Sequence, residues 1–158
     1  MATELEVRIP RPTNCQEVER GITDVFRSLF REDEANLLCF EYDPNAGLMD
    51  MTIRHKEAIV SMEFYEFTSG AHAEDGLWCT LSANLNRSLP TFALVAVAAM
   101  AIASMFESDI VDDSLWLRKT RFVSPVTVKG LVDNIDNHDL VSFATFADEF
   151  CRANKLGA

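Results

Sequence analysis

Side chains able to do chemistry are thinly spread in this chain. The four cysteines, Cys15, Cys39, Cys79 and Cys151, stand singly, with no Cys-x-x-Cys spacing and no histidine beside them. They read as small core hydrophobes kept reduced, not as metal ligands or disulfide partners. The three histidines, His55, His72 and His138, fall in predicted loops or at a strand end, where nothing marks one as a general base. A Gly-x-Ser-x-Gly elbow is absent. The six glycines form neither a Gly-x-Gly-x-x-Gly nor a P-loop pattern, so no loop can cradle a phosphate on its backbone amides. A Cys/His pair assembled in space is disfavoured because Cys39 and Cys79 lie in apolar strands, where a thiolate is costly. No catalytic residue, cofactor or metal is expected.

Carboxylates are the abundant functional group: 25 Asp plus Glu stand against 14 Lys plus Arg, giving net −11 over 158 residues. Glu32-Asp33-Glu34, the set Glu107, Asp109, Asp112 and Asp113, and the set Asp133, Asp136 and Asp139 read as solvated caps and turns. They lack the EF-hand spacing and its central glycine. Such a charge keeps a molecule in solution, repels polyanions and attracts basic partners. Nucleic-acid binding is opposed, because the one basic string, Arg118-Lys119-Thr120-Arg121, is too short to offset the field and reads as a solvated strand edge.

The elements that must carry these residues follow from hydrophobic periodicity. Residues 4–9 alternate Leu5, Val7, Ile9 against Glu4, Glu6, Arg8, predicting a strand ended by Pro10 and Pro12. From Asn14, which suits an N-cap, Val18, Ile22, Val25, Phe26, Leu29 and Phe30 recur at helical spacing over about 18 residues. Leu37–Tyr42, Leu48–Arg54, Ala58–Phe67 and Leu77–Asn84 predict four further strands in a meander, separated by the Asp43–Gly47 turn and the Ser69–Gly76 loop. An apolar helix starts at Leu89-Pro90-Thr91 and runs to Phe106. Ala93, Ala96, Ala99 and Ala103 let its neighbours approach closely. Short strands are expected at Ile110–Val111 and Leu115–Phe122, a short helix from Ser124-Pro125 to about Val132, and a terminal helix over Leu140–Asn154 with the stripe Leu140, Phe143, Ala144, Phe146, Ala147, Phe150.

Apolar residues make up 48% of the chain and charged residues 25%, as in a globular domain of this size with one core. The order β-α-β-β-β-β-α-β-α-α predicts a single α+β domain over residues 1–158, a mainly antiparallel sheet with helices on one face. The apolar run Pro90–Phe106 spans only ~17 residues and is rich in alanine, short for a membrane span and expected to be buried. No secretory or lipidation signal is read at the termini, so a cytoplasmic location is expected, with no membrane association.

On the opposite sheet face the alternation gathers Glu41, Asp50, Arg54, Glu63, Tyr65 and Trp78, with Thr52, Ser61, Thr80, Ser82 and Asn84 between them. Tyr65 and Trp78 are amphipathic anchors of the kind that concentrate binding energy at interfaces. These six are the candidate partner-binding residues, unless a later helix covers them.

A small, acidic α+β domain of this type, with an Ala-rich helix running through Ala93 into Ile110-Val111-Asp112-Asp113-Ser114-Leu115-Trp116-Leu117, resembles the immunity proteins that bacteria pair with polymorphic or contact-dependent toxins. The resemblance implies stoichiometric binding to a basic toxin domain, often a nuclease, by a monomer or homodimer whose acids shield the toxin's substrate surface. The alternatives are a chaperone of the type III secretion kind, which the opening strand fits poorly, and a small-ligand or enzyme domain with its pocket between the 90–106 helix and the sheet.

Overall fold

The computed structural model describes residues 4–67, 76–117, 120–135 and 142–156. The first strand, β1 (Glu4–Ile9), buries Leu5, Val7 and Ile9 and turns its charged residues the other way. Helix α1 (Cys15–Leu29) begins where Asn14 Oδ1 accepts the Glu17 amide at 2.8 Å, the side-chain cap its sequence predicts. The Cys15 amide, with no partner inside the helix, donates to the carbonyl of Gly47 at 3.2 Å. A four-residue helix, α2 (Glu32–Ala35), follows. It has no hydrophobic periodicity to announce it, and its position in the sequence reads as a solvated acidic turn.

The meander comprises β2 (Leu38–Glu41), β3 (Met51–His55), β4 (Ala58–Phe67) and β5 (Gly76–Ser82), and α3 (Leu89–Phe106) comes next. Strand β3 starts at Met51, not Leu48. Ser88 caps α3 and Pro90 occupies its first turn, where a missing N–H costs nothing. Beyond it lie β6 (Ile110–Val111), β7 (Phe122–Val123), α4 (Pro125–Asp133) and α5 (Phe143–Asn154). Among the described residues of the strand expected from Leu115 to Phe122, only Phe122 is in a strand, while Arg118 and Lys119 lie outside the described residues. Asp112 Oδ2 instead accepts the Leu117 amide at 2.8 Å and the Asp112 carbonyl accepts the Leu115 amide at 3.1 Å, folding this stretch into a turn with Leu115 at φ 57°. Helix α5 starts at Phe143 because the Ser142 hydroxyl caps it through the Thr145 amide. Phe143, Phe146, Ala147 and Phe150 of the expected stripe are buried and Ala144 is exposed, while Leu140 lies outside the described residues.

All seven strands pair antiparallel in one sheet, in the order β2-β3-β4-β5-β1-β6-β7. The N-terminal strand thus closes the meander and is flanked by β5 and β6. The fold is α+β, with helices stacked on one side of the sheet. Helix α3 lies against β1, β4, β5 and β6, and α1, α4 and α5 pack on α3 in turn. Every α3 residue from Thr91 to Ala103 is buried, as expected of a helix apolar all round. By length and composition α3 could cross a bilayer, but 78% of it is buried inside the protein. At Gly21 on α1 an added Cβ would lie 2.1 Å from Met105 Sδ on α3, so a side chain there would have to displace the Met105 thioether.

Burial departs from expectation at several polar residues. Glu34 and Asp112, read as solvated, are 4% and 0% exposed, and His55 at the end of β3 is 3% exposed. Three of the cysteines are buried as expected, but Cys39 is exposed, because its alternation on β2 directs it to the face without helices. His72, His138, Asp136 and Asp139 lie outside the described residues.

Candidate functional site

The side of the sheet away from α3 carries four rows of side chains, set by strand register. Cys39, Arg54 and Ile59 form the first, and Glu41, Thr52, Ser61, Ser82 and Glu4 the second. The third runs Glu63, Thr80, Glu6, Val111, Phe122, and the fourth Tyr65, Trp78, Arg8. Period-2 alternation produces these rows because the opposite positions, Leu5, Val7, Ile53, Val60, Met62, Cys79 and Leu81, are consumed by the core. No described helix packs on this polar face to the extent that α3 packs on the other.

Of the six residues singled out by sequence, Glu41, Arg54, Glu63 and Tyr65 occupy this face. Glu41 and Arg54 pair directly, Nε to Oε1 at 2.7 Å, with both side chains substantially exposed, a geometry that contributes little to stability in water. Glu63 is exposed. Tyr65 is half-buried, and its phenol donates to Glu6 Oε2 while accepting from Thr80 Oγ1 at 3.2 Å. Burial and the Glu6 carboxylate push this phenol well above the usual tyrosine range, so it stays a donor.

Asp50 is exposed and partly engaged, and Trp78 is recessed. Asp50 lies ahead of β3, and its Oδ1 accepts the Phe64 amide at 3.1 Å, which satisfies strand backbone. Trp78 is on the expected row but only 5% exposed, so it floors a recess and is not a projecting anchor. Glu4, Glu6 and Arg8 complete the face and are absent from the sequence-derived set. Their outward alternation is plain in the sequence; that β1 inserts beside β5 is a matter of tertiary pairing.

Two depressions mark the face. A shallow basin of about 200 Å³ is walled by Glu4 and Glu63 and floored by Ser61, Thr80 and Ser82, with Asn84 at its edge. Asn84 Nδ2 donates to Glu4 Oε1 at 3.3 Å. Carboxylates over a bed of hydroxyls make a surface rich in acceptors, suited to guanidinium and ammonium groups. The second is a cavity of about 470 Å³ at the β1–β6–β7 margin, reached by Arg8, Trp78, Phe106 and Phe122. The pocket expected between α3 and the sheet is instead filled by core side chains.

Elsewhere, His55 Nε2 lies 3.1 Å from Glu34 Oε2 and 3.0 Å from the Glu34 carbonyl, with ring centroids of Phe26 and Phe143 at 5.4 and 4.8 Å. Burial lowers the imidazole pKa despite the opposing pull of the Glu34 carboxylate, so the ring is neutral and its Nε2 hydrogen-bonds the Glu34 carbonyl. Burial pushes the Cys15 and Cys79 thiols up, and that of Cys151 up to about 12, which suits packing and not nucleophilic attack. Among the described residues no group of three or more His, Cys, Asp or Glu side chains is placed to hold a metal ion. Comparison with models of known protein families, with curated proteins and with solved structures returned no match for this chain.

Proposed function

We propose that this protein is a cytoplasmic binding protein of the immunity type, which neutralises a basic toxin domain by forming a stoichiometric complex through its polar sheet face. The observation that carries this reading is a face with Glu4, Glu6, Glu41 and Glu63 drawn from β1, β2 and β4, with no described helix laid over it as α3 is laid over the other. Arg54 offsets Glu41 and Arg8 stands at the margin, so acid prevails toward the basin. The net −11 of the chain adds a long-range field of the same sign. Such complementarity raises association rates by orders of magnitude, and a protector must reach the toxin before its substrate does. Tyr65 contributes by fixing the Glu6 carboxylate before the partner arrives, which lowers the ordering cost of association.

Co-expression with the product of the gene immediately upstream tests this reading. A one-to-one complex is expected, its affinity falling at least about tenfold between low and physiological salt. Glu41→Lys combined with Glu63→Lys should weaken it by at least about 1.4 kcal/mol, or tenfold. An unchanged affinity would remove the sheet face as the docking surface. A homodimer engaging an extended, partly unfolded segment would instead favour the secretion-chaperone reading.

A further inference from the structure

The basin of about 200 Å³ on the polar sheet face owes its depth to a difference in side-chain length. Ser61 on β4 with Thr80 and Ser82 on β5 form a floor of short hydroxyl side chains, and the longer Glu63 and Glu4 rise on either side of β5. Hydrogen bonding fixes the polarity of that floor. Thr80 Oγ1 donates to the Tyr65 phenol at 3.2 Å, and that phenol donates to Glu6 Oε2, so the Thr80 oxygen can only accept. Ser82, 6% exposed, accepts the Asn84 amide on its Oγ at 3.1 Å, and Asn84 Nδ2 donates to Glu4 Oε1 at 3.3 Å. Glu63 is exposed, and its carboxylate meets no cation among the described residues. The neighbouring Glu41 differs in being paired with Arg54 already. Leu85, 60% exposed, adds an apolar patch to the rim.

We propose that the basin receives one arginine side chain of a basic protein partner, its guanidinium over the hydroxyl floor and its methylene stem along Leu85. This rests on the reading of the polar face as the docking surface and names the group that the face takes. A volume below the range of about 300–1,000 Å³ typical of small-molecule sites suits a single side chain. The acceptors are dispersed, because Glu4 and Glu63 stand on strands separated by β5, with backbones roughly 10 Å apart. A planar guanidinium carries five donors on its edges and reaches several such acceptors at once, whereas an ammonium is a compact, strongly hydrated point charge. A divalent metal ion is served worse, since it needs oxygens converging at about 2.0–2.6 Å. Leu85 favours the same choice: arginine lays its aliphatic stem on apolar surface while its charge stays at the carboxylates.

The probes are the capped tripeptide acetyl-Gly-Arg-Gly-amide, its lysine and citrulline counterparts, and calcium ion. Each is titrated into the full chain at low salt and followed in ¹H–¹⁵N correlation spectra. Saturable binding of the arginine peptide is expected, with the Ser61, Glu63, Thr80, Ser82 and Leu85 amides shifting most. Its affinity should exceed that of the lysine peptide by at least about threefold and that of the neutral citrulline peptide by at least about tenfold. Glu63→Gln and Leu85→Ser, both at exposed positions, should each weaken arginine binding several-fold while leaving the spectrum of the unliganded protein folded. Absence of saturable arginine binding, shifts centred elsewhere, equal or tighter binding of the lysine peptide, the same shifts produced by calcium at lower concentration, or full affinity in both variants would each overturn the proposal. Failure with the tripeptide while the co-expressed complex forms would overturn this inference alone. Tripeptide binding by a chain that forms no such complex would retire the toxin reading and leave the basin's preference for arginine standing.

Discussion

The buried contact between Glu34 and His55 makes a sharp test of how this fold is held. Both side chains are nearly sealed from solvent, 5% and 2% exposed, and Arg31 reaches Glu34 only at 3.8 Å. His55→Phe keeps a ring among Phe26 and Phe143 but removes the imidazole nitrogen that faces the buried Glu34 carbonyl and carboxylate. Because the imidazole is neutral, the cost is that of leaving buried acceptors without their donor, about 1–3 kcal/mol. The Glu34 carbonyl keeps the Leu37 amide at 3.2 Å, so little is lost there. Adding Glu34→Met removes the buried carboxylate at similar volume, and replacing both partners of a buried polar contact by apolar groups of similar shape is close to neutral. The double variant should therefore be more stable than the His55→Phe single by about 1–2 kcal/mol. Urea unfolding at neutral pH, followed by far-UV circular dichroism, gives both values. A double variant less stable than the single would show that the carboxylate is not the source of the cost, and the reasoning would fail.

Further outcomes follow from the same structure. The lowered His55 pKa means that below the usual histidine value of about 6.5 the unfolded chain takes up a proton that the folded one refuses. This contribution is complete above pH about 6.5 and is lost as pH falls toward the folded pKa, so the urea midpoint should drop on acidification, and less so in His55→Phe. Asn14→Ala removes the acceptor of the Glu17 amide and should cost about 1 kcal/mol, read as a shift in melting temperature. One thiol, Cys39, should react with a disulfide reagent in the native protein, and all four after unfolding, since Cys15, Cys79 and Cys151 are buried. Rapid native labelling of a second cysteine would contradict the described packing. Gly21→Val should destabilise by about 1–3 kcal/mol by displacing Met105 from the α1–α3 contact.

Elements long enough to repeat a pattern are legible in the sequence alone. The alternation of residues 4–9 and 58–67, the helical stripe from Val18 to Leu29 and the uniformly apolar helix from Leu89 to Phe106 all form as read. The face holding Glu41, Arg54, Glu63 and Tyr65 follows from the same alternation, because side-chain direction in a strand has a period of two residues. Of the shorter pieces, β6 at Ile110–Val111 and α4 after Ser124-Pro125 form as read, but others are not legible. Helix α2 has a single turn, and the stretch after Val111 is shaped by the buried carboxylate of Asp112, an effect that local propensity does not carry.

Sequence by itself determined that this chain forms a strongly acidic α+β domain, with an apolar central helix and strands polar on one side. Those properties depend on residue type and on spacings within single elements. Only tertiary structure decided that β1 lies between β5 and β6, adding Glu4, Glu6 and Arg8 to the open face, and that Trp78 is recessed while Glu34, His55 and Asp112 are buried. These outcomes depend on which distant segments meet. Pairing between strands far apart in the chain is selected by the summed packing of the whole core, a quantity no local pattern contains.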